Sequence, residues 1–258
     1  MRISKRLALA VSAAAITLSV GASQAQEMTL KIGTEGAYPP FNNLTSDGKL
    51  VGFDIDIANA LCEEMKAKCE FVTQDWDGII PALISGKFDA IIASMSITEE
   101  RKQKVDFTQK YYNTPSAVAG PKDSDIKEIS KAGLAGKTIG AATSTTHFNY
   151  ATQTYTDSEI KGYPTSQEFL LDLANGRLDA VEDDISVLEG WLATPEGACC
   201  KILGQPSPQP VEIFGEGAGI AVRKGETALA EKFNAAIQAI RANGKYKEIN
   251  DKYFTYDV

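Results

Sequence analysis

The stretch Leu83-Ile84-Ser85-Gly86-Lys87-Phe88-Asp89-Ala90 recurs 90 residues later as Leu173-Ala174-Asn175-Gly176-Arg177-Leu178-Asp179-Ala180. In each copy the pattern predicts a helix that ends at the glycine and a strand that follows it. A fainter repeat pairs Leu30-Lys31-Ile32-Gly33 with Lys137-Thr138-Ile139-Gly140, each an apolar strand running into a turn of small residues. Two matches in the same order indicate a duplication, so we predict an α/β chain of two similar lobes.

The order of the elements predicts where a ligand binds. Helical segments alternate with short β-rich runs, which favours largely parallel sheets with right-handed crossovers. Ligands of such sheets collect beyond the carboxyl ends of the strands. Asp184 follows Ser94 by 90 residues, so the repeat places the two at equivalent strand ends of lobes that face each other across a cleft. The loops at predicted strand ends are 35–38, 93–96, 142–147 and 182–184.

Length and charge limit the classes of function. The 258 residues suit two lobes or one large α/β unit, and 43% hydrophobic residues can build a substantial core. Lys and Arg total 26 against 34 Asp and Glu, and the net charge of −8 repels nucleic acid and anionic membrane surfaces. We expect neither as a partner. The single histidine, His147, gives little basis for a histidine metal site or a histidine acid/base pair, and we expect no metal and no cofactor.

The first 25 residues have the pattern of a secretory signal peptide. A basic start is followed by an apolar run over 7–20 and by the small-residue site Ser23-Gln24-Ala25, and we expect cleavage after Ala25. The apolar run is shorter than the ~20 residues that span a bilayer, so we expect export to the periplasm without membrane insertion. Cleavage would remove three basic and no acidic groups and leave a net charge of −11.

Export changes the interpretation of Cys62 and Cys69. In an unbroken helix their Cα atoms would stand about 10 Å apart, beyond the reach of a disulfide. We therefore expect the helix to end at about Lys66, before a strand over 69–72. A disulfide closing this turn is the favoured prediction, and two free buried thiols are the alternative. The helix is supported by apolar residues at helical spacing: Phe53, Ile57, Leu61 and Met65.

The adjacent cysteines Cys199 and Cys200 admit three states. A vicinal disulfide, a bridge to another chain and two free thiols are all compatible with an exported protein. The sequence does not choose among them, although we expect the protein to be a monomer.

The loop chemistry suits a small zwitterion. In 96–101 a helix start precedes Arg101, so backbone N–H groups and a guanidinium can hold a carboxylate together. The alternative is a surface arginine that pairs with Glu99 or Glu100. The hydroxyls of 143–146 can add donors or simply cap a helix. Asp184 can receive an α-ammonium group, or it can be a solvated strand end.

Four further segments carry a recognisable pattern: Gly33-Thr34-Glu35-Gly36-Ala37-Tyr38-Pro39-Pro40-Phe41, Val51-Gly52-Phe53-Asp54-Ile55-Asp56, Trp76-Asp77-Gly78-Ile79-Ile80-Pro81-Ala82-Leu83 and Ser94-Met95-Ser96-Ile97-Thr98-Glu99-Glu100-Arg101. Together they resemble the polar amino-acid-binding proteins of ABC importers, solute-binding protein family 3. The branch they resemble most contains the lysine/arginine/ornithine-binding and histidine-binding proteins. The similarity covers essentially the whole mature chain, including 214–219 and the terminal helices.

The resemblance implies a role for each end of the ligand. Arg101 would bind the α-carboxylate, helped by Thr146 and the backbone of Ser96, while Asp184 and Ser94 would hold the α-ammonium group. Tyr38 and Trp76 would sandwich the side chain, and Glu35 would meet its cationic end. The full predicted ligand-binding set is Glu35, Tyr38, Trp76, Ala93, Ser94, Ser96, Arg101, Ala142, Thr145, Thr146, His147 and Asp184.

Two positions depart from the relatives of that branch. Ala93 stands where they often have serine, and His147 where they often have glutamine. Both neighbour the side-chain pocket, so arginine, lysine, ornithine and histidine remain alternatives. The set also resembles receptors for opines, although a second ligand carboxylate would lie close to Asp184.

The resemblance also implies a type II periplasmic-binding-protein architecture. Lobe 1 would comprise 26–113 and 215–258, and lobe 2 would comprise 118–210, with hinges at about 114–117 and 211–214. Closure around the ligand would create the surface that the membrane permease recognises. The expected function is therefore that of a receptor and not of an enzyme. The alternative is an enzyme on the same fold, like cyclohexadienyl dehydratases, for which Glu35 and His147 are the candidate acid and base.

Overall fold

The computed structural model of the protein describes residues 28–258. The predicted signal peptide, residues 1–25, lies outside the described residues. The strands are β1 (Met28–Thr34), β2 (Ala37–Tyr38), β3 (Asn42–Leu44), β4 (Leu50–Val51), β5 (Ala67–Thr73), β6 (Ala90–Ile91), β7 (Val105–Tyr112), β8 (Ser116–Pro121), β9 (Thr138–Ala142), β10 (Glu159–Tyr163), β11 (Ala180–Asp184), β12 (Cys200–Gly204) and β13 (Ala218–Arg223). The helices are α1 (Phe53–Glu64), α2 (Trp76–Ile84), α3 (Glu99–Lys102), α4 (Thr146–Thr154), α5 (Ser166–Ala174), α6 (Ile185–Leu192), α7 (Val211–Phe214), α8 (Thr227–Ala242) and α9 (Lys245–Tyr253), with a 3-10 helix over Glu196–Cys199. None of the helices in this part of the chain is long and apolar enough to cross a bilayer.

The two large sheets follow the same plan. The first has the strand order β5-β1-β6-β13-β7 and the second β10-β9-β11-β8-β12, while β2, β3 and β4 form a small third sheet. In each large sheet the first three strands are parallel and the other two pairs antiparallel. The prediction of a two-lobed α/β protein with mixed sheets is confirmed. Parallel pairs make up half of each sheet and not most of it, because β8 and β13 insert in the opposite direction after crossing from the other lobe.

The repeated stretches occupy equivalent places in the two sheets. Ile32 of β1 pairs with Ala90 of β6, and Ile139 of β9 pairs with Ala180 of β11. The two sequence repeats align these same residues with each other. The strand register therefore supports the duplication.

Close packing explains the glycine that both copies of the fainter repeat contain. A Cβ atom on Gly33 would lie 2.5 Å from the ring of Phe88, and one on Gly140 would lie 2.5 Å from Leu178. Phe88 and Leu178 are themselves equivalent residues of the longer repeat. In each lobe a larger residue on the strand would force the two segments apart.

Aromatic rings form the centre of the first lobe. Phe53 of α1 lies edge-on to Tyr112 and Phe254, with ring centroids 5.7 and 5.3 Å apart. Phe41 stacks on Tyr112 at 4.9 Å. Helices α8 and α9 pack on α1, so the end of the chain completes the lobe that its beginning forms.

The turn between α1 and β5 carries the predicted disulfide. Cys62 and Cys69 are bonded, with Cα atoms 5.9 Å apart. Helix α1 ends at Glu64, two residues before the predicted end, because Lys66 adopts a left-handed φ of 53° that a helix cannot contain. The predicted change from helix to strand between the two cysteines is thus present.

The other two cysteines are free thiols. Cys199 ends the 3-10 helix and is exposed, whereas Cys200 starts β12 and is buried. Burial raises the pKa of Cys200 to about 12, so its thiol stays protonated. The structure therefore does not contain the vicinal disulfide, and a bridge from Cys199 to another chain is not tested by a single chain.

The chain passes between the large sheets twice. Residues 113–115 lead from β7 to β8, and residues 205–217, which include α7, lead from β12 back to β13. The predicted hinges at 114–117 and 211–214 overlap these connections. The exact bounds of the lobes and hinges stay a prediction.

Candidate ligand-binding site

Side chains from both lobes line one cavity. The loops after β1, β6 and β9 and the start of α2 supply most of its wall, as expected for the carboxyl ends of parallel strands. Pro164 and Ser166 complete the wall and were not predicted. Eleven of the twelve predicted residues line it: Glu35, Tyr38, Trp76, Ala93, Ser94, Ser96, Arg101, Ala142, Thr145, Thr146 and His147.

Arg101 supplies the cavity with a fixed positive charge. Its Nη1 donates to the backbone carbonyl of Ser96 at 2.9 Å, and its Nη2 donates to the carbonyl of Ser144 at 3.1 Å. The guanidinium also lies over the ring of Trp76, 5.2 Å from the centroid. Burial lowers the pKa of Arg101 to about 10, which still leaves the group cationic at neutral pH.

The structure does not show Arg101 as a surface arginine that pairs with Glu99 or Glu100. Glu99 pairs with Lys102 at 2.9 Å, and Glu100 approaches Lys104 at 3.5 Å. Both acidic neighbours therefore face other cations. Thr98 caps the short helix by accepting from the backbone N–H of Arg101 at 3.3 Å, while the bonds to the carbonyls of Ser96 and Ser144 hold the guanidinium in the cavity wall.

Glu35 is the carboxylate in the cavity wall. It follows β1 directly and is partly exposed. Burial, with the nearby charges of Asp75 and Asp77, raises its pKa to about 7. A cation placed beside Glu35 would favour the ionised form and relieve this unfavourable environment.

The two aromatic walls are held by hydrogen bonds to the second lobe. The Tyr38 hydroxyl donates to Asp183 Oδ1 at 2.6 Å. The Trp76 indole N–H donates to the carbonyl of Ser144 at 3.2 Å. One bond joins a first-lobe ring to the carboxyl end of β11 and the other joins a ring to the loop after β9, so the structure represents a closed arrangement.

Asp183 is a buried acid that the sequence argument missed. It lies behind Tyr38 and His147, with Oδ1 3.5 Å from His147 Nε2. His147 Nδ1 is 3.1 Å from the hydroxyl of Ser116. Burial raises the pKa of Asp183 to about 8, whereas burial and the charge of Arg101 lower that of His147 to about 3. The imidazole is therefore neutral at physiological pH.

Asp184, the twelfth predicted residue, lines an adjoining cavity. That cavity shares Ser94, Thr146 and three other wall residues with the first. Its carboxylate caps α6 by accepting from the Ser186 N–H at 2.8 Å, and it also accepts from the Thr114 hydroxyl. Burial raises its pKa to about 6. Its contact with a ligand remains a prediction.

Two serines in the strand-end loops adopt a left-handed backbone. Ser94 has a φ of 55° and Ser144 a φ of 60°, values that non-glycine residues rarely take. The turn at Ser144 aims its carbonyl at Arg101 and Trp76 of the other lobe. Such strain is typical of sites where the chain must present a group in one direction.

Thr145 both caps a helix and lines the cavity, the two roles considered for the hydroxyls of 143–146. Its hydroxyl accepts from the Phe148 N–H at 3.1 Å and so caps α4. The residue also lines the cavity.

Within residues 28–258, no group of three His, Cys, Asp or Glu side chains is arranged to hold a metal ion.

The sequence matches a known family over nearly the whole described chain. Residues 30–256 fit the model of the bacterial extracellular solute-binding proteins, family 3. The chain belongs to this family. The resemblance noted from the four sequence segments is thereby confirmed.

Named relatives of this family 3 protein span its full length. The L-arginine-binding protein of Pseudomonas aeruginosa is 49% identical over 257 residues, which cover 98% of each chain. The histidine-binding periplasmic protein of Escherichia coli K12 is 37% identical over 258 residues, again with 98% of each chain.

Solved structures of the same fold include binding proteins and a forerunner of an enzyme. An ancestral arginine-binding protein bound to arginine matches with a TM-score of 0.80 and 39% identity, over 88% of this chain and 98% of that one. The ancestral amino acid-binding protein that is a precursor of cyclohexadienyl dehydratase matches with a TM-score of 0.77 and 31% identity, over 88% and 96%.

One of the missed wall residues left a signal in the sequence. Ser166 starts α5, and Trp76, 90 residues earlier, starts α2. The repeat that relates Ser94 to Asp184 therefore also relates these two. Asp183 left a weaker signal, because three acidic residues stand in a row at 182–184 and the sequence does not show which of them faces the cleft.

Proposed function

We propose that this chain is the extracytoplasmic receptor of an ABC importer and captures a basic L-amino acid in the cleft between its lobes. Arginine, lysine, ornithine and histidine are the candidate ligands. The observation that carries the proposal is one cavity lined by a partly buried guanidinium, Arg101, a carboxylate, Glu35, and the rings of Tyr38 and Trp76. The arginine- and histidine-binding relatives support the same class of ligand.

The α-carboxylate is assigned to Arg101. The guanidinium keeps its charge in the buried site, and two of its N–H groups already bond to backbone carbonyls, which hold it in place. Its other N–H groups remain for a carboxylate, with Thr146 and the backbone of Ser96 beside it. The α-ammonium group is assigned to Ser94 and Asp184, which line the adjoining cavity together.

The ligand side chain is assigned to the space between Tyr38 and Trp76. Flat guanidinium and compact ammonium groups both bind favourably to aromatic faces. Glu35 then supplies the opposite charge to the distal cation. Ala93 and His147 border this space, and a neutral imidazole adds no competing positive charge.

Delivery to the permease is assigned to the closed form. The bonds from Tyr38 to Asp183 and from Trp76 to Ser144 connect the lobes, so they break when the lobes separate. A ligand that touches both lobes shifts the population toward closure, and the permease recognises the closed surface. We assign lobe 1 to 26–113 and 215–258 and lobe 2 to 118–210. Residues 1–25 are assigned to the signal for export to the periplasm.

Calorimetry against all common amino acids and two opines tests the proposal directly. We expect arginine or another basic L-amino acid to bind most tightly. An opine carries a second carboxylate that would lie close to Asp184, so we expect it to bind more weakly. Tightest binding of glutamine or glutamate would contradict the role of Glu35.

An enzyme of the cyclohexadienyl dehydratase type is the second candidate, because a precursor of that enzyme is among the structural neighbours. The pKa of about 7 at Glu35 would suit a general acid, whereas His147, with a pKa of about 3, would not act as one. The purified protein can be incubated with prephenate or arogenate while the absorbance of the product is followed. Turnover would overturn the receptor proposal.

A further inference from the structure

Ser94 depends on a buried acid that does not itself line the cavity. Asp54, the second residue of α1, is fully buried, and its Oδ2 accepts from the Ser94 hydroxyl at 3.0 Å. Two further groups contact the same carboxylate. The Asn42 amide donates to Oδ2 at 3.0 Å, and the Tyr111 hydroxyl donates to Oδ1 at 2.6 Å.

We propose that Asp54 fixes the direction of the Ser94 hydroxyl, so that Ser94 offers the ligand a hydrogen-bond acceptor and never a donor. Asp54 would thus be a positioning residue that acts through Ser94. The inference rests on the proposed function, because it concerns the part of the cleft assigned to the α-ammonium group. The role of Asp54 implies that the ligand must carry a hydrogen-bond donor on its α-carbon.

The direction of the hydrogen bonds follows from Asn42. Its side-chain oxygen accepts from the Gly36 N–H at 2.8 Å, so its amide nitrogen must be the atom that faces Asp54. An oxygen of Asp54 that accepts from this amide is available to accept from Ser94 as well. The 2.6 Å distance to Tyr111 lies in the range of a hydroxyl bonded to an ionised carboxylate.

An ionised carboxylate is only an acceptor, so Ser94 must be the donor. A serine hydroxyl has a single proton, and this proton is committed to Asp54. The oxygen of Ser94 therefore meets the cavity with its lone pairs. Burial raises the pKa of Asp54, but the donors Tyr111, Asn42 and Ser94 oppose this effect.

The backbone conformation of Ser94 restricts where its hydroxyl can lie. Ser94 has a left-handed φ of 55°, and it follows β6 at the point where the chain enters the cleft. The hydroxyl is thereby placed between the buried acid on one side and the cavity on the other. An α-substituent that carries an N–H or O–H can bond to it. A substituent with lone pairs only would face the lone pairs of Ser94 and be repelled.

The test compares two nearly isosteric ligands, the 2-hydroxy and 2-fluoro analogues of arginine in the same configuration. Only the hydroxyl can donate. In the wild-type protein we expect the 2-hydroxy analogue to bind about tenfold more tightly or better, since the fluoro analogue leaves a buried acceptor without a partner. In Ser94→Ala the ratio should fall severalfold, toward the part that Asp184 alone provides. Asp54→Ala frees the hydroxyl to rotate and to donate toward the fluoro analogue, so it should also lower the ratio.

Tyr111→Phe is the matched control for Asp54→Ala. It also removes one buried hydrogen bond of the Asp54 carboxylate, but it leaves the Ser94 bond in place, so the ratio should stay at the wild-type value. A neutron structure of the deuterated wild-type protein locates the Ser94 deuteron directly and does not depend on any variant folding. We expect it between Ser94 Oγ and Asp54 Oδ2.

The outcomes separate this inference from the proposed function. A deuteron that points into the cleft, or equal affinities of the two analogues in a wild-type protein that binds arginine, would overturn the role of Asp54 and leave the receptor proposal standing. A ratio lowered in Ser94→Ala but unchanged in a folded Asp54→Ala variant would likewise exclude Asp54. Failure of the wild-type protein to bind any basic amino acid would instead refute the proposed function.

Discussion

The two lobes share one strand plan but present different chemistry to the cleft. At equivalent helix starts the first lobe has Trp76 and the second Ser166, and both line the cavity. At equivalent strand ends the first lobe has Ser94 and the second Asp184. The comparison shows that the duplication preserves where side chains leave the sheet. The residue types at these equivalent positions differ between the lobes, and the chemistry of the site depends on that difference.

The cation of the first lobe and the acids of the second differ in how far their protonation depends on pH. The first lobe contributes the guanidinium of Arg101, whose pKa of about 10 keeps it cationic across the physiological range. The second contributes Asp183 and Asp184, whose pKa values burial raises to about 8 and about 6. Protonation of the second-lobe acids therefore responds to pH and to a bound cation, whereas the charge of Arg101 does not.

Removing the fixed cation of the first lobe should have the largest effect on binding. Arg101→Ala deletes the charge-assisted bonds to the ligand carboxylate and leaves that carboxylate in a dry cleft. We expect a loss of about 3 to 5 kcal/mol, which is roughly a hundredfold or more in affinity. Calorimetry with arginine measures it.

Arg177 of the second lobe provides the matched control for Arg101. It pairs with Asp172 at 2.6 Å, and its side chain is 64% exposed, away from the cavity wall. Arg177→Ala should leave the affinity unchanged, because an exposed pair contributes little. Wild-type affinity in a folded Arg101→Ala variant would refute the carboxylate role.

The sequence predicted the site groups whose function follows directly from the type of side chain. The strand-end rule selected the loop that holds Glu35 and Tyr38, the helix start at 96–101 pointed to Arg101, and the family resemblance implied one site for all three, which do line one cavity. The carbonyl of Ser144, which accepts from two first-lobe side chains, could not be predicted, because every residue has a carbonyl and its direction depends on a local φ of 60°. The position of Asp183 behind Tyr38 likewise depends on how the lobes meet.

The lobes also differ in how the turn after the first helix is closed. In the first lobe Cys62 and Cys69 bridge α1 and β5, whereas in the second no disulfide joins α4 to β10. Replacing both bridging cysteines by serine should lower the free energy of unfolding by about 2 to 3 kcal/mol, because the short closed loop no longer restricts the unfolded chain. Denaturant unfolding measures this. Cys199→Ser, which alters an exposed free thiol, is the control and should have almost no effect; equal losses in both variants would contradict the stabilising role of the bridge.

Affinity for arginine should depend on pH through Glu35. Its pKa of about 7 means that the carboxyl is partly protonated at neutral pH. A bound cation favours the ionised form, so binding at lower pH requires the release of a proton. Through Glu35 alone, affinity should therefore level off above pH 8 and fall by about tenfold between pH 8 and pH 6. Asp183 and Asp184, with pKa values of about 8 and about 6, add a pH dependence that citrulline shares, so the difference between arginine and citrulline isolates Glu35. His147, with a pKa of about 3, stays neutral throughout this range.

Calorimetry in two buffers of different ionisation enthalpy reports the proton release directly. Citrulline, which is neutral at the distal end, should show much less of it. Equal arginine affinity at pH 6 and pH 8 would mean that Glu35 is already ionised before the cation binds or does not contact the cation.

The smallest expected effect isolates the contribution of the first-lobe carboxylate. Glu35→Gln keeps nearly the same volume and hydrogen-bonding reach but removes the negative charge, so packing between Tyr38 and Trp76 should survive. Arginine should bind more weakly to the variant. Citrulline should weaken less or even gain, because a buried carboxylate that faces a neutral group carries an uncompensated desolvation penalty.

The two proteins and the two ligands form a cycle at fixed salt and pH. A coupling of about 1 kcal/mol or more in favour of Glu35 with arginine is expected for a charged hydrogen bond. Asp77→Asn is a useful comparison, because Asp77 raises the pKa of Glu35 but does not line the cavity. It should lower that pKa and change the coupling little. A coupling near zero would mean that Glu35 does not interact with the cationic end of the ligand side chain. Selection of a cation would then depend on the aromatic rings of the first lobe and on the acids of the second.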